Sequence, residues 1–324
     1  MTILVTGAAG FVGAHVCRAL LARGERVLGV DNLNAYYDPQ LKRDRIAWIG
    51  TPPGFTFKIC DIADAAALEA AVGGERIARV VHLAAQAGVR YSIDNPMAYI
   101  SANLVGHAVI LEFCRHRGTV EHLVYASSSS VYGGNTKLPF SEGDPVDSPV
   151  SLYAATKKAD ELMSHVYAHL YRLPQTGLRF FTVYGPWGRP DMAYWSFTEA
   201  ILSGTPIRVF NHGDMMRDFT YVDDVVEGLL RCLDRAPADD GTVPARVYNI
   251  GNNRPERLLD FIAILERLLG RPAQRKLEPM QPGDVKATYA DLTALQRDIG
   301  FAPSTPLETG LEKFVTWYRA YHNV

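Results

Sequence analysis

Cysteine is scarce in this 324-residue chain, and what there is lies apart. Cys17, Cys60, Cys114 and Cys232 form no CxxC pair, which argues against a disulfide framework or a zinc site and for buried thiols in a reducing compartment. The nine histidines show no HxxEH or HExxH spacing, so no metal site is expected. Basic blocks are missing and the formal net charge is −2, which argues against nucleic acid or an anionic membrane surface as a partner. No apolar run reaches the roughly 18 residues that would cross a bilayer. A strand pattern begins at residue 2 and a glycine motif at residue 7. That leaves no room for a signal peptide, and a cytoplasmic protein is expected.

What is present is rhythm. Short β-rich runs occur at 2–6, 26–30, 55–60, 79–84 and 122–127, with helix-like segments between them. In the first such segment Val12, Val16 and Leu20 recur at helical spacing, while Arg18 and Arg23 fall on the other face. The alternation predicts an α/β fold with a doubly wound parallel sheet, whose strands are apolar because helices cover both faces. From about residue 185 the rhythm breaks. Pro186, Pro190, Pro206, the loop 236–245 and the segment 279–284 punctuate shorter elements, which predicts a smaller C-terminal α/β lobe. Leu258, Phe261, Ile262 and Leu265 read as its core.

"TGAAGFVG" sets Gly7, Gly10 and Gly13 between the first strand and the first helix. Glycine there lets the backbone approach a pyrophosphate, whose charge sits at the helix N-terminus. A glycine triplet alone is a weak signal, but Asp31 ends the second strand, where a carboxylate can bond both ribose hydroxyls of NAD and repel the extra phosphate of NADP. Asp61, after the third strand, is a candidate for the adenine end, with a turn or capping role as the alternative. The expected division is a Rossmann-type NAD-binding domain at 1–180, with 220–252 returning to it. Residues 181–219 and 253–324 make the substrate lobe.

"ASSSSVY" (126–132) places four serines directly after an apolar strand, an odd position for the linker that a serine run usually marks. About 25 residues later "SLYAATKKADELM" sets Tyr153 and Lys157 at i, i+4, on one face of a helix. A lysine charge beside a phenol favours the phenolate, and such a pair suits proton transfer at an alcohol. YxxxK alone is common. With the NAD signature and an upstream hydroxyl it becomes informative.

Taken together, GxxGxxG, the serine before "VYG" and YxxxK resemble the extended short-chain dehydrogenase/reductase family, and within it the nucleotide-sugar 4-epimerases that act on UDP-glucuronate. The closer resemblance rests on "NLNAYYDPQLKRDR" (32–45), "AGVRYSIDNPMAYISANLVG" (87–106), "SSSSVYGGNTKLPFSE" (127–142), "LRFFTVYGPWGRPDMA" (178–193) and "RDFTYVDDVVEG" (217–228). It implies that Phe11, Val12, Asn32, Ile62, Leu83, Ala84 and Ala85 line NAD with the glycines, Asp31 and Asp61. Ser128 is the implied catalytic hydroxyl, bonding the sugar O4 beside Tyr153, while Lys157 holds the nicotinamide ribose. Sugar-nucleotide dehydratases carry an Asp-Glu pair after that serine. Ser129 and Ser130 stand here instead, which argues against dehydration.

The resemblance implies transient oxidation: the 4-hydroxyl becomes a ketone, the sugar turns, and reduction on the other face returns NAD⁺. Gln86 and Arg90 are implied substrate contacts. Thr182 and Arg189 match positions implicated in binding a sugar carboxylate, and a hydroxyl with a guanidinium makes a sensible anion site. A surface-loop or phosphate role is the alternative for Arg189. Val209, Asn211 and Arg217 resemble uracil and diphosphate contacts. In "QPGD" Gln281 stands where many relatives have arginine, and Asp284 is the better-supported residue. The alternatives are a UDP-glucuronate decarboxylase forming UDP-xylose, a neutral UDP-glucose/galactose epimerase, and a non-catalytic NAD-binding regulator. Relatives dimerise through two helices per subunit, here about 97–117 and 151–171, so a homodimer is expected.

Overall fold

The first strand, β1 (Thr2–Thr6), is buried along its whole length, as a strand covered on both faces must be. It lies inside a seven-stranded sheet, between β2 and β4, in this computed structural model, which describes residues 1–281 and 285–324. β1 runs into α1 (Phe11–Ala22), followed by β2 (Arg26–Asp31), α2 (Pro39–Ile49), β3 (Phe55–Ile59), α3 (Ala65–Val72) and β4 (Ile77–His82). Two single turns, α4 (Tyr91–Asp94) and α5 (Pro96–Tyr99), lead through a π-helical stretch, Ile100–Val105, into α6 (Gly106–Arg117). Then come β5 (His122–Ser128), a 3₁₀ turn at Ser129–Tyr132, α7 (Leu152–Tyr171) and β6 (Gln175–Phe180). With β10 (Ala245–Ile250) the strand order is β3-β2-β1-β4-β5-β6-β10, and the ladders from β3 through β5 are parallel. This is the doubly wound order, in which ligands bind beyond the carboxyl ends of the strands where the order reverses. Leu4, Val30, Ile77, Val80, Ile110 and Leu111 form the core of this part.

The chain divides into two units. One holds residues 1–134, 145–179 and 226–248; the other holds 135–144, 180–225 and 249–324. The segment 135–144 goes with the second because Phe140, 1% exposed, bonds through its backbone to Tyr289 and Asp291.

In the second unit β7 (Thr182–Tyr184), α8 (Ala193–Ser203), β8 (Ile207–Val209) and β9 (Met216–Tyr221) precede α9 (Val222–Leu233), which carries the chain back to the first. After β10 come β11 (Pro255–Arg257), α10 (Leu258–Leu269), β12 (Arg275–Leu277), α11 (Thr293–Ile299) and α12 (Leu307–His322). A three-stranded sheet, β11-β9-β7, and a parallel pair, β12-β8, are covered by these helices. The core is aromatic, with Phe219 and Phe261 stacked at 4.8 Å and Phe314 edge-on to Tyr194 at 4.9 Å. Phe261, Ile262 and Leu265 are fully buried there.

One element goes beyond the sequence reading. Through α5, the π stretch and α6, residues Pro96–Arg117 form a continuous 22-residue helix, among the described residues long and apolar enough to cross a membrane by length and composition. Its buried residues pack within the first unit, against α7 and β4, as a core helix of the fold would.

Candidate active site

The glycine turn is shaped by contact. Gly7 has φ of 72°, and a Cβ there would lie 2.7 Å from the Ala84 nitrogen, so no side chain fits between β1 and the end of β4. A Cβ on Gly13 would collide with the Gly7 carbonyl, so the third glycine lets α1 seat on the turn. Gly10 caps α1 with no side-chain acceptor and no acid in the first turn, which leaves the first N–H groups for an anion. Asp31, 7% exposed at the end of β2, accepts from Leu33 N at 2.8 Å and Ala9 N at 3.2 Å. Asn32 Nδ2 donates to Asp61 at 3.1 Å, tying the ends of β2 and β3. Ala84 N donates to Thr6 Oγ1 at 3.1 Å. A bare helix N-terminus, a tight glycine turn and a carboxylate at the neighbouring strand end fit a dinucleotide.

Two buried cations behind this turn carried no sequence signal. Lys42 lies 3.8 Å from Asp31 and donates to Asn34 at 2.8 Å; burial pulls its ammonium down while Asp31 holds it up. Arg45, fully buried, donates to the Ala9 carbonyl at 3.1 Å and the Tyr37 hydroxyl at 2.6 Å. Nothing local in "LKRDR" sets Lys42 and Arg45 apart from their charged neighbours; the fold turns them inward.

The serine run resolves by strand alternation. Ser127 and Ser128 point to opposite faces of β5. Ser127 Oγ donates to Glu161 at 2.7 Å and is structural, whereas Ser128 Oγ accepts from Ser130 N at 3.1 Å at the strand end. The last two serines begin the 3₁₀ turn.

Ser151 caps α7 by accepting from Ala154 N at 3.1 Å. Half-buried Tyr153 sits one turn in, its ring edge-on to Tyr99 at 6.0 Å. Tyr99 donates to the carbonyls of Ala87 (2.9 Å) and Gly88 (2.5 Å), and through Tyr91 and Tyr36 the rings link α7 to the loop after β2. The Lys157 Nζ, 4% exposed, donates to the Ala126 carbonyl at 2.9 Å and Asp160 at 3.1 Å. This anchors the helix two residues before Ser128. Gln86, 5% exposed, is held by Asn103: its N–H donates to Asn103 Oδ1 at 2.8 Å, and Asn103 Nδ2 donates back to its carbonyl and to Thr156 Oγ1. Asn103 lies in the π stretch, a feature common at functional sites. Arg90 caps α4. Asn103, Asp160, Glu161 and Arg179 escaped the sequence reading, although "KKADE" carried a hint in its i, i+3 and i+4 spacing.

In the second unit Thr182 begins β7, half-buried. Arg189 is paired with Asp191 at 3.0 and 2.5 Å, and its N–H donates to the Tyr194 hydroxyl. Val209 ends β8, buried; Asn211, with φ of 47°, donates to the Asp214 carbonyl at 2.7 Å. Arg217, on β9, donates to the carbonyls of Met216 and Lys286. Next to it Asp218, fully buried, accepts from the N–H groups of Asn252, Asn253 and Ala290, so one carboxylate fastens two loops to β9; burial pushes it up to about 6 against those donors. Gln281 has a buried Oε1 with no partner among the described residues. Asp284 lies outside the described residues.

Similarity to known proteins agrees with this geometry. The chain is 52% identical to the protein CapI of Staphylococcus aureus, covering 99% of both, and 51% identical to UDP-glucuronate 4-epimerase 3 of Arabidopsis thaliana, covering 99% of this chain and 77% of that one. Its fold matches the crystal structure of the UDP-glucuronic acid 4-epimerase of Bacillus cereus in complex with UDP-glucuronic acid and NAD, with a TM-score of 0.90 at 34% identity over 99% and 100% of the two chains. It also matches the UDP-glucose 4-epimerase of Thermotoga maritima, with a TM-score of 0.89 at 31% identity over 99% and 100%. A family model matches residues 3–251, and the chain belongs to the NAD dependent epimerase/dehydratase family.

Proposed function

We infer that the protein is an NAD-dependent UDP-glucuronate 4-epimerase, forming UDP-galacturonate through a transient 4-ketone. What carries this is the Lys157 ammonium, fixed on the Ala126 carbonyl one helical turn from Tyr153 and at the strand end that bears Ser128. Identity of about half to UDP-glucuronate 4-epimerases favours the uronate over a neutral sugar. Bound NAD supplies the redox chemistry at C4. Tyr153 takes the proton of the 4-hydroxyl and returns it after the sugar has turned, so the protein gains and loses no proton overall. Lys157 stabilises the phenolate and orients the nicotinamide ribose, and Ser128 bonds O4. With Ser129 and Ser130 in the 3₁₀ turn, no carboxylate stands there to expel water, which supports epimerisation over dehydration.

Thr182 and Arg189 receive the sugar carboxylate, with Arg189 exchanging or sharing its hold on Asp191. Val209, Asn211, Arg217 and Asp284 serve the uridine diphosphate. Proton NMR of UDP-glucuronate with the protein and NAD⁺ tests the proposal. A fixed ratio with UDP-galacturonate, reached from either sugar, is expected. UDP-xylose with CO₂, turnover of UDP-glucose alone, or no turnover despite bound NAD would each reject it. In the same assay Arg189→Ala is expected to raise KM for UDP-glucuronate about 10-fold or more, the worth of a charge-assisted hydrogen bond, without a matching rise for UDP-glucose.

The protein is proposed to work as a homodimer. α7 is built inside out, burying Thr156, Lys157, Asp160, Glu161 and Ser164 while Leu162, Val166 and Leu170 face outward. Val105 and these three leave 46% to 59% of themselves exposed, and Val105 also lines an apolar groove of about 520 Å³ between α3 and α6, with Leu68, Leu104, Ala108, Val109 and Phe113. Exposed apolar side chains gathered on these helices mark an interaction surface, and a second copy would complete a four-helix bundle. Size exclusion with light scattering is expected to give twice the chain mass at micromolar concentration; a monomer would refute the dimer. Buried free thiols and an NAD-requiring reaction fit the cytoplasm.

A further inference from the structure

The Lys157 ammonium has three donors, and the structure accounts for two. One goes to the Ala126 carbonyl and one to Asp160 Oδ2, leaving the third for a ligand. Asp160 is 1% exposed, and its Oδ1 has no hydrogen-bond partner among the described residues. A buried carboxylate with one oxygen bare is a poor place for a charge. Lys157 is the cation that keeps it there.

We propose that Asp160 is a positioning residue for the acid–base pair: it holds Lys157 against β5 and, by cancelling part of the ammonium's field, sets the pH at which Tyr153 works. This rests on the epimerase reading. YxxxK needs only the tyrosine and lysine, so the counter-charge one turn beyond the lysine in "YAATKKAD" is an addition to that pair.

Among the described residues packed around this pair, Asp160 is the one that changes charge near neutrality. On α7 Glu161 is already neutralised by Arg179 of β6, at 2.8 and 2.9 Å, with Lys158 at 3.7 Å. On β5 burial pushes the Tyr125 hydroxyl far up, and it stays neutral. On β4 burial, then Lys157, pull His82 down to about 3, and on α6 His107 is driven well below its usual range by burial; both rings are neutral and bonded, to Thr6 and Ser164. Asp160 itself is pushed up to about 6 by burial, against the pull of Lys157.

The sign follows. Above that range Asp160 is ionised, offsets Lys157 and disfavours the Tyr153 phenolate. Below it Asp160 is neutral and the full ammonium field returns. Asp160→Asn keeps the shape and an acceptor for Lys157 while removing the charge. Seven residues along a helix is about 10 Å. At that distance a unit charge in a protein moves a titration by on the order of one pH unit. The acid limb of kcat/KM for UDP-glucuronate is therefore expected to shift down by on the order of one unit in the variant.

The experiment is the pH profile of epimerisation for wild type and Asp160→Asn, with Asp160→Ser repeating it should the first not fold. A downward shift of the limb supports the proposal. A uniform loss of rate with the limb unmoved means a structural role only and overturns it. Carbon NMR of the side-chain carboxyls, with Asp160 identified by the resonance missing from the variant, gives a readout independent of turnover. A carboxyl titrating near neutrality is expected, and one ionised throughout rejects the proposal. If wild type does not turn over UDP-glucuronate, the epimerase reading fails by itself, and the carboxyl titration still decides the state of Asp160.

Discussion

Tyr153→Phe is expected to slow epimerisation by roughly a hundred- to ten-thousand-fold, the usual worth of a placed acid–base group. The loss should fall on kcat, because the step removed is proton transfer at the 4-hydroxyl; Tyr153 is also an expected NAD contact, but most of the UDP and NAD binding rests on other residues. The fold should be unaffected. Phenylalanine keeps the ring that meets Tyr99 edge-on at 6.0 Å, and Tyr153 supports Thr156 only through its carbonyl. Turnover by NMR, with NAD retention and melting temperature as controls, checks this. A variant within tenfold of wild type would remove Tyr153 from the chemistry and point to another base.

Tyr153, Lys157, Asp31 and the glycine turn were legible because their chemistry depends on local spacing. Three glycines must fall within one turn, and a phenol and ammonium share a face only at i, i+4. The doubly wound sheet was legible for the same reason, since apolar strands alternating with amphipathic helices have few other ways to be covered. What escaped was the set of polar partners that meet from distant strands. Asn103 meets Gln86 and Thr156 across 17 and 53 residues. Arg179 meets Glu161 across 18. No local pattern announces such pairs. The polar buried face of α7 is a related case: its amphipathicity reads normally in outline, but the face carrying charge is inward. The four serines show both limits, since the run marked the place while only alternation along β5 separated Ser127, which is structural, from Ser128.

Glu161→Ala is expected to destabilise the protein by about 3–5 kcal/mol, the cost of leaving a buried charge unpaired. Glu161 and Arg179 are 6% and 3% exposed and form a two-pronged ion pair at 2.8 and 2.9 Å. Arg179 Nη1 already has no partner among the described residues, so the guanidinium has no other anion to turn to. The same arginine lies over the Tyr132 ring at 4.9 Å, and Glu161 also accepts from Ser127 at 2.7 Å. One carboxylate thus braces both ends of the turn that presents Ser128. Burial alone would raise Glu161, but Arg179 and Ser127 hold it below the usual carboxylate range. Its stabilisation is therefore complete above the unfolded-state pKa and is lost as pH falls through the lower, folded-state value. Urea unfolding at neutral pH measures the cost directly, and a change under about 1 kcal/mol would show the pair to be replaceable by water. Glu161→Leu combined with Arg179→Met should recover much of the loss, because removing both charges abolishes the unpaired ion that makes the single change severe. That recovery separates a charge effect from a packing defect. If stability returns while kcat does not, the pair's contribution to catalysis is the orientation of the serine turn.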